Sequence, residues 1–112
     1  MAGLLELTDA SAAVIADRFR VLGEPMRLRL LNALRRGEKS VGELAALTGA
    51  GQANTSKHLQ LLLQAGFLER RKEGTTTWYK VALPEVFELC SLVSGGIEEE
   101  LERRKKQLRR RG

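Results

Sequence analysis

Residues 40–80, SVGELAALTGAGQANTSKHLQLLLQAGFLERRKEGTTTWYK, decide the fold: they read as two short helices followed by a basic β-hairpin, the layout of a winged helix-turn-helix. Ser40 and Glu43 form an S-x-x-E capping box, in which hydroxyl and carboxylate each satisfy an orphan amide, so a helix starts there. Val41, Leu44 and Ala45 fall at i, i+3 and i+4 and bury one face until Thr48-Gly49 turns the chain. A second helix runs from about Gln52 to Gln64, with Leu59, Leu62 and Leu63 on one side. Gln52, Asn54, Thr55, Ser56, Lys57 and Gln60 of the same helix are polar and mostly short, a surface built to hydrogen-bond.

Ala65-Gly66 ends that helix. Phe67 to Glu73 and Thr76 to Val81 are rich in aromatic and β-branched residues and are separated by Glu73-Gly74-Thr75, which predicts a hairpin with a short turn. Arg70, Arg71 and Lys72 precede its tip, where a wing would lie along phosphates. Polar side chains for base edges and cations for the backbone are the two contact types that double-stranded DNA recognition needs.

Three segments resemble the ArsR/SmtB family of bacterial repressors. Gly23 to Leu31 (GEPMRLRLL) resembles the start of the family's second helix, Asn54 to Gly66 (NTSKHLQLLLQAG) its recognition helix, and Phe67 to Tyr79 (FLERRKEGTTTWY) its wing. They stand in the family's order and spacing, and with matching flanking helices they cover nearly the whole chain.

The 112 residues fit one domain, 1–112, long enough for a core but thin enough that a dimer interface would help it. A net charge of +5 suits a polyanionic partner. No run of about 18 apolar residues occurs and the first residues lack a signal-peptide pattern, so the expectation is a cytoplasmic protein away from the membrane. One cysteine excludes an intrachain disulfide framework.

The outer helices carry faces to bury. From Asp9 to Leu22, Val14, Ile15, Arg18, Phe19 and Leu22 share a stripe, and Glu24-Pro25 restarts a helix that runs to about Arg36, with Leu30, Leu31 and Leu34 in the core. The last helix begins near Pro84, carries Val86, Leu89, Cys90, Val93, Ile97 and Leu101 along one side, and is interrupted by Gly95-Gly96. Glu99 and Arg103, like Glu102 and Lys106, stand four apart and support a solvated helix, with Arg109 to Arg111 as a frayed tail.

The resemblance implies an α-α-α-α-β-β-α chain that dimerises through its first and last helices and sets two recognition helices in successive major grooves. An inverted-repeat operator with half-sites roughly 10 base pairs apart would follow. Carried over by position, Gln52, Ser56 and Lys57 are the base or near-base contacts, with Asn54 and Thr55 beside them. Ala53 departs from the hydroxyl residue common there and offers a thymine methyl contact instead, or none. His58, the only histidine, reads either as a partly buried side chain bonded within the helix pair or as a phosphate contact. Arg70, Arg71 and Lys72 read as phosphate contacts or as a solvated strand edge, and Trp78 and Tyr79 as core.

Metal-sensing members of the family carry cysteines on the helix before the turn, or Asp, His and Glu ligands on the last helix. Here the first location reads Glu43 to Leu47 without a thiol, and the last helix has no histidine, which argues against a metal. A second branch responds to persulfide or oxidant through two cysteines. Cys90 stands where the one on the last helix would be, but the partner position on the second helix is Asn32, so a thiol-based switch would rest on one thiol, and a small buried hydrophobe is the other reading. No nucleophile with a base at useful spacing, phosphate loop or cofactor motif marks an enzyme. A protein-interaction module would favour acidic or large apolar residues on the outward face of Gln52–Gln64, and that face has neither. The reading is a homodimeric repressor released from its operator by an unassigned signal.

Overall fold

A computed structural model describes residues 6–111. The chain order is α1 (Asp9–Leu22), α2 (Pro25–Ala33), β1 (Lys39–Ser40), α3 (Val41–Thr48), α4 (Gln52–Gln64), β2 (Leu68–Glu73), β3 (Thr76–Val81), α5 (Val86–Ser94) and α6 (Ile97–Arg111). This is the expected winged helix-turn-helix with two additions. A two-residue strand, β1, pairs antiparallel with β3 to make a sheet of order β1-β3-β2. Two residues are too few to show periodicity, and Ser40 also caps α3, which hid the strand.

The second addition is that the last helix is two helices. Gly96 takes φ 80°, a conformation that glycine adopts without strain, so the chain turns between α5 and α6. α6 continues as helix through Arg111, where a frayed tail was expected. α2 ends at Ala33, earlier than the expected Arg36, because Leu34 donates to both the Leu30 and Leu31 carbonyls and the chain tightens into a turn before Gly37.

The core is made where these elements meet. Leu30 and Leu31 of α2 with Leu34, Leu44 of α3, Leu59 and Leu62 of α4, and Leu68 and Tyr79 of the hairpin are almost completely buried together. α1 adds Val21 and Leu22 but leaves Val14 and Phe19 exposed, so its expected stripe is only partly buried within the protomer. α5 likewise buries Val86 and exposes Leu92 and Val93. Among the described residues no helix is long and apolar enough to cross a membrane.

Candidate nucleic-acid interface

The link between α3 and α4 is three residues long because glycines permit its geometry. Gly49 closes α3 at φ 70° and Gly51 opens α4 at φ 75°, both in the left-handed region. α4 has no side-chain cap, so amides of its first turn remain for an outside acceptor such as a phosphate. A glycine where Ser, Thr or Asp usually sits was the signal for this, and it went unread in the sequence.

Thr55, Leu59 and Leu62 lie at i, i+4 and i+7 and all face the core. Thr55 therefore cannot touch DNA, which corrects its assignment as a contact: it is fully buried and its hydroxyl has no hydrogen-bond partner among the described residues. The outer stripe is Ala53, Lys57 and Gln60, with Asn54 and half-buried Ser56 at its edges and Gln52 at the exposed helix start. Gln60 joins the candidate contacts because it stands three residues after Lys57.

An unpartnered buried hydroxyl costs about 1–3 kcal/mol. Thr55→Val keeps the shape and removes the hydroxyl, so we expect a gain of about 1 kcal/mol, a Tm rise of about 4–8 °C, and unchanged DNA affinity. Calorimetry and a binding titration check the two halves of that expectation.

His58 takes the partly buried position between α4 and α2. Its Nδ1 lies 3.1 Å from Arg27 Nη1 and 3.9 Å from a Glu24 carboxylate oxygen, while Arg27 Nε donates to the Val21 carbonyl. Arg27 is thus a strut from the end of α1 through α2 to α4.

The register of the wing sorts its charges onto two faces. Cross-strand partners project on the same side, so Leu68, Arg70, Lys72, Thr77, Tyr79 and Val81 share one face, and Glu69, Arg71, Glu73, Thr76, Trp78 and Lys80 the other. On the second face the charges satisfy each other. Arg71 holds Glu38 through Nε at 2.9 Å and Nη2 at 2.7 Å, and Glu73 through Nη1 at 2.7 Å. Its guanidinium lies over the Trp78 ring, 5.4 Å from the centroid, and Lys80 pairs with Glu69 at 3.4 Å. Trp78 is consequently half-exposed beneath Arg71, whereas Tyr79 alone of the pair belongs to the core.

The first face begins in the core with Leu68 and Tyr79, against which α4 packs, and continues outward as Arg70 and Lys72. Both are exposed, and neither has an ion-pair partner among the described residues. Sequence reading treated the three cations alike. The structure separates Arg71, whose nitrogens are committed to carboxylates and which ties the wing to the segment before β1, from Arg70 and Lys72.

The Arg71 hydrogen bond, aided by its charge, holds the Glu38 carboxyl below its ordinary value of 4.5 and raises Arg71 in return. A folded pKa below the unfolded one means that the pair's contribution is complete above the unfolded value and is lost as pH falls through the folded one. The Ser40 amide lowers Glu43 in the same direction. Glu38→Gln should therefore flatten only part of the loss of Tm below about pH 4.5, as read by thermal melts at matched ionic strength. Identical acid limbs for both proteins would show that the Glu38–Arg71 pair adds nothing.

α1, α2 and α5 enclose a groove of about 570 Å³ whose walls include Phe19, Leu31, Asn32, Phe87, Cys90 and Val93. Cys90 is a free, half-buried thiol packed against the core on the same wall system as Asn32. Among the described residues no group of three His, Cys, Asp or Glu side chains is assembled for a metal.

Residues 24–70 match the model of the bacterial regulatory protein, arsR family. The chain is 35% identical over 97 residues to the HTH-type transcriptional regulator Rv0324 of Mycobacterium tuberculosis, covering 84% of this chain and 43% of that protein. It is 36% identical over 74 residues to a probable mercury resistance operon repressor of Streptomyces lividans, covering 66% of this chain and 59% of that one. The chain thus spans about half the length of these relatives. In structure it is similar to the homodimeric winged helix-turn-helix DNA-binding domain Mb0332 of Mycobacterium bovis, a possible ArsR-family transcriptional regulator. There the TM-score is 0.74 at 31% identity, covering 89% of this chain and 95% of that one.

Proposed function

The chain belongs to the ArsR family of bacterial regulatory proteins, and on that premise we propose that it is a cytoplasmic, homodimeric repressor that binds an inverted-repeat operator in double-stranded DNA. One observation carries the reading: Arg70 and Lys72, the wing cations that have no carboxylate partner among the described residues, lie on the face that continues outward from the packing against α4. α4 supplies the rest. Lys57, Gln60, Ser56, Asn54 and Gln52 present donors and acceptors to base edges, and the Ala53 methyl sits in the same stripe for a thymine. Amides at the uncapped start of α4 add donors for a phosphate.

The dimer reading is supported by the exposed Val14, Phe19, Leu92 and Val93, which a monomer would leave in water, and by the homodimeric Mb0332 domain. The signal that releases the protein is not carried over from the mercury-linked relative, since one cysteine and one histidine on separate helices make a poor site for a soft metal. DNA selection from a random pool, followed by fluorescence anisotropy, tests the proposal. We expect an inverted repeat with half-site centres about 10 base pairs apart, preferred over a scrambled duplex by about 10³-fold or more at equal salt. Equal, strongly salt-dependent binding to both duplexes would overturn it. Lys57→Ala should reduce that preference by about 10-fold or more while leaving the dimer intact, because a lost base contact costs about 1–3 kcal/mol.

A further inference from the structure

The start of α4 is uncapped, and the residues that α4 buries are Leu59, Leu62 and Thr55, whose hydroxyl bonds to nothing among the described residues. Among the described residues, one side chain of α4 hydrogen-bonds to another element. It is His58, whose Nδ1 lies 3.1 Å from Arg27 Nη1 on α2. That bond fixes the state of the ring: a guanidinium only donates, so Nδ1 must accept, and the imidazole is neutral with its proton on Nε2. Arg27 is itself held from behind, because its Nε donates to the Val21 carbonyl at the end of α1.

A proton on Nδ1 breaks this arrangement. It sets one N–H against another and a second positive charge beside Arg27, where the His58 side chain is only 17% exposed. One carboxylate is close enough to receive it: Glu24, 3.9 Å from Nδ1, which also accepts from the Arg27 amide at the start of α2. The other elements packed against α4 have their carboxylates engaged. On α1, Asp17 is paired with Arg20; on α3, Glu43 accepts from the Ser40 amide; on β2, Glu69 holds Lys80 and Glu73 holds Arg71. Of the remaining cations, Arg29 on α2 donates to the Thr48 carbonyl, and Lys57 on α4 and Arg70 and Lys72 on β2 are exposed. The ring thus has two partners on α2, one for each protonation state.

We propose that His58 is a positioning residue for the recognition helix, which binds DNA while His58 is neutral and leaves it when proton uptake transfers the ring from Arg27 to Glu24. This inference rests on the DNA-binding reading above and deepens it, since a proton then serves as a releasing signal. His58 directly follows Lys57, about 100° around the helix, so a ring drawn toward the start of α2 rolls α4 and carries Lys57 and Gln60 off the base edges. Histidine is the side chain whose charge changes between about pH 5 and 8, and His58 is the only one in the chain. Glu38 and Glu43, both held below 4.5, titrate outside that window. A His58 that touched phosphate would respond with the opposite sign, because its charged form would bind DNA better.

Anisotropy titrations of the full chain on the selected operator and on scrambled DNA, from about pH 8 to 5.5 at constant salt, test this. The parent protein is expected to lose about 10-fold or more in operator affinity across that range. His58→Leu, which removes the acceptor, should bind weakly at every pH. His58→Asn, whose Oδ1 takes the place of Nδ1 but cannot charge, should restore the affinity lost in the leucine variant and keep it at pH 5.5. In the free protein at pH 8, imidazole nitrogen chemical shifts should show the proton on Nε2, a one-residue spectrum that does not depend on DNA. Parent affinity that is flat or rises on acidification would overturn the inference, as would an asparagine variant that falls with the parent or a neutral ring protonated on Nδ1. Circular dichroism and sedimentation at pH 5.5 should match those at pH 8, and loss of fold or of the oligomer would overturn it too. Absence of any operator preference at pH 8 would remove the DNA-binding reading and this inference with it.

Discussion

Arg70→Ala/Lys72→Ala is expected to weaken binding to every duplex by a similar factor and to flatten the dependence of log K on log salt by about two units per protomer, while Arg71→Ala leaves the slope almost unchanged. Each phosphate neutralised by a cation releases counterions and contributes about 0.9 to the slope, so a dimer that loses four such contacts loses between about three and four units. Arg70 and Lys72 are free to make those contacts. Arg71 is not, because its three nitrogens already hold Glu38 and Glu73 and its plane lies on Trp78. It ties the wing to Glu38, in the segment before β1. Arg71→Ala should therefore lower thermal stability and specific affinity modestly, with the salt slope preserved. Titrations of all three proteins from about 50 to 200 mM salt, on the selected operator and on scrambled DNA, separate the roles. An unchanged slope for the double variant would mean that the wing does not lie along the backbone.

The contrast between those arginines shows where sequence reading stops. Residue type is visible one position at a time, and so is local punctuation: the capping box at Ser40 and Glu43, the glycines around α4 and the Gly74 turn are local devices, and each element they bound was legible. Helical phase was legible too but was applied to the leucines and not to the polar residues between them. Had Thr55 been placed four residues before Leu59, its burial would have followed from the sequence. Long-range partnership was not legible at all. Glu38 lies 33 residues from Arg71, and nothing local distinguishes the arginine that is neutralised from the one beside it. The same holds for His58, whose hydrogen bond to Arg27 spans 31 residues. The period-2 geometry of the hairpin makes the distinction afterwards, because adjacent cations on a strand must face opposite ways.

Phe19→Glu is expected to have the largest effect on function without touching the DNA-binding surface. Phe19 is 56% exposed in the protomer and lines the groove between α1, α2 and α5, so a carboxylate there is hydrated and harmless while the chain is alone. In a dimer the same carboxylate would be desolvated in a mostly apolar groove whose one cation, Arg35, lies over the Phe87 ring, which disfavours the closed state. Losing the dimer removes the linkage between two half-site contacts. Binding of the second recognition helix then ceases to be intramolecular, and affinity for the full inverted repeat should drop by about 10²- to 10⁴-fold, whereas affinity for one isolated half-site should stay within a few-fold of the parent protein. Sedimentation velocity and anisotropy on full-site and half-site duplexes read the two quantities separately. A variant that stays dimeric with full-site affinity intact would move the two-fold axis away from α1 and α5. A monomer that loses affinity for both duplexes equally would instead say that α1 supports the recognition helix directly, through Val21 and the Arg27 strut, and not through dimer formation.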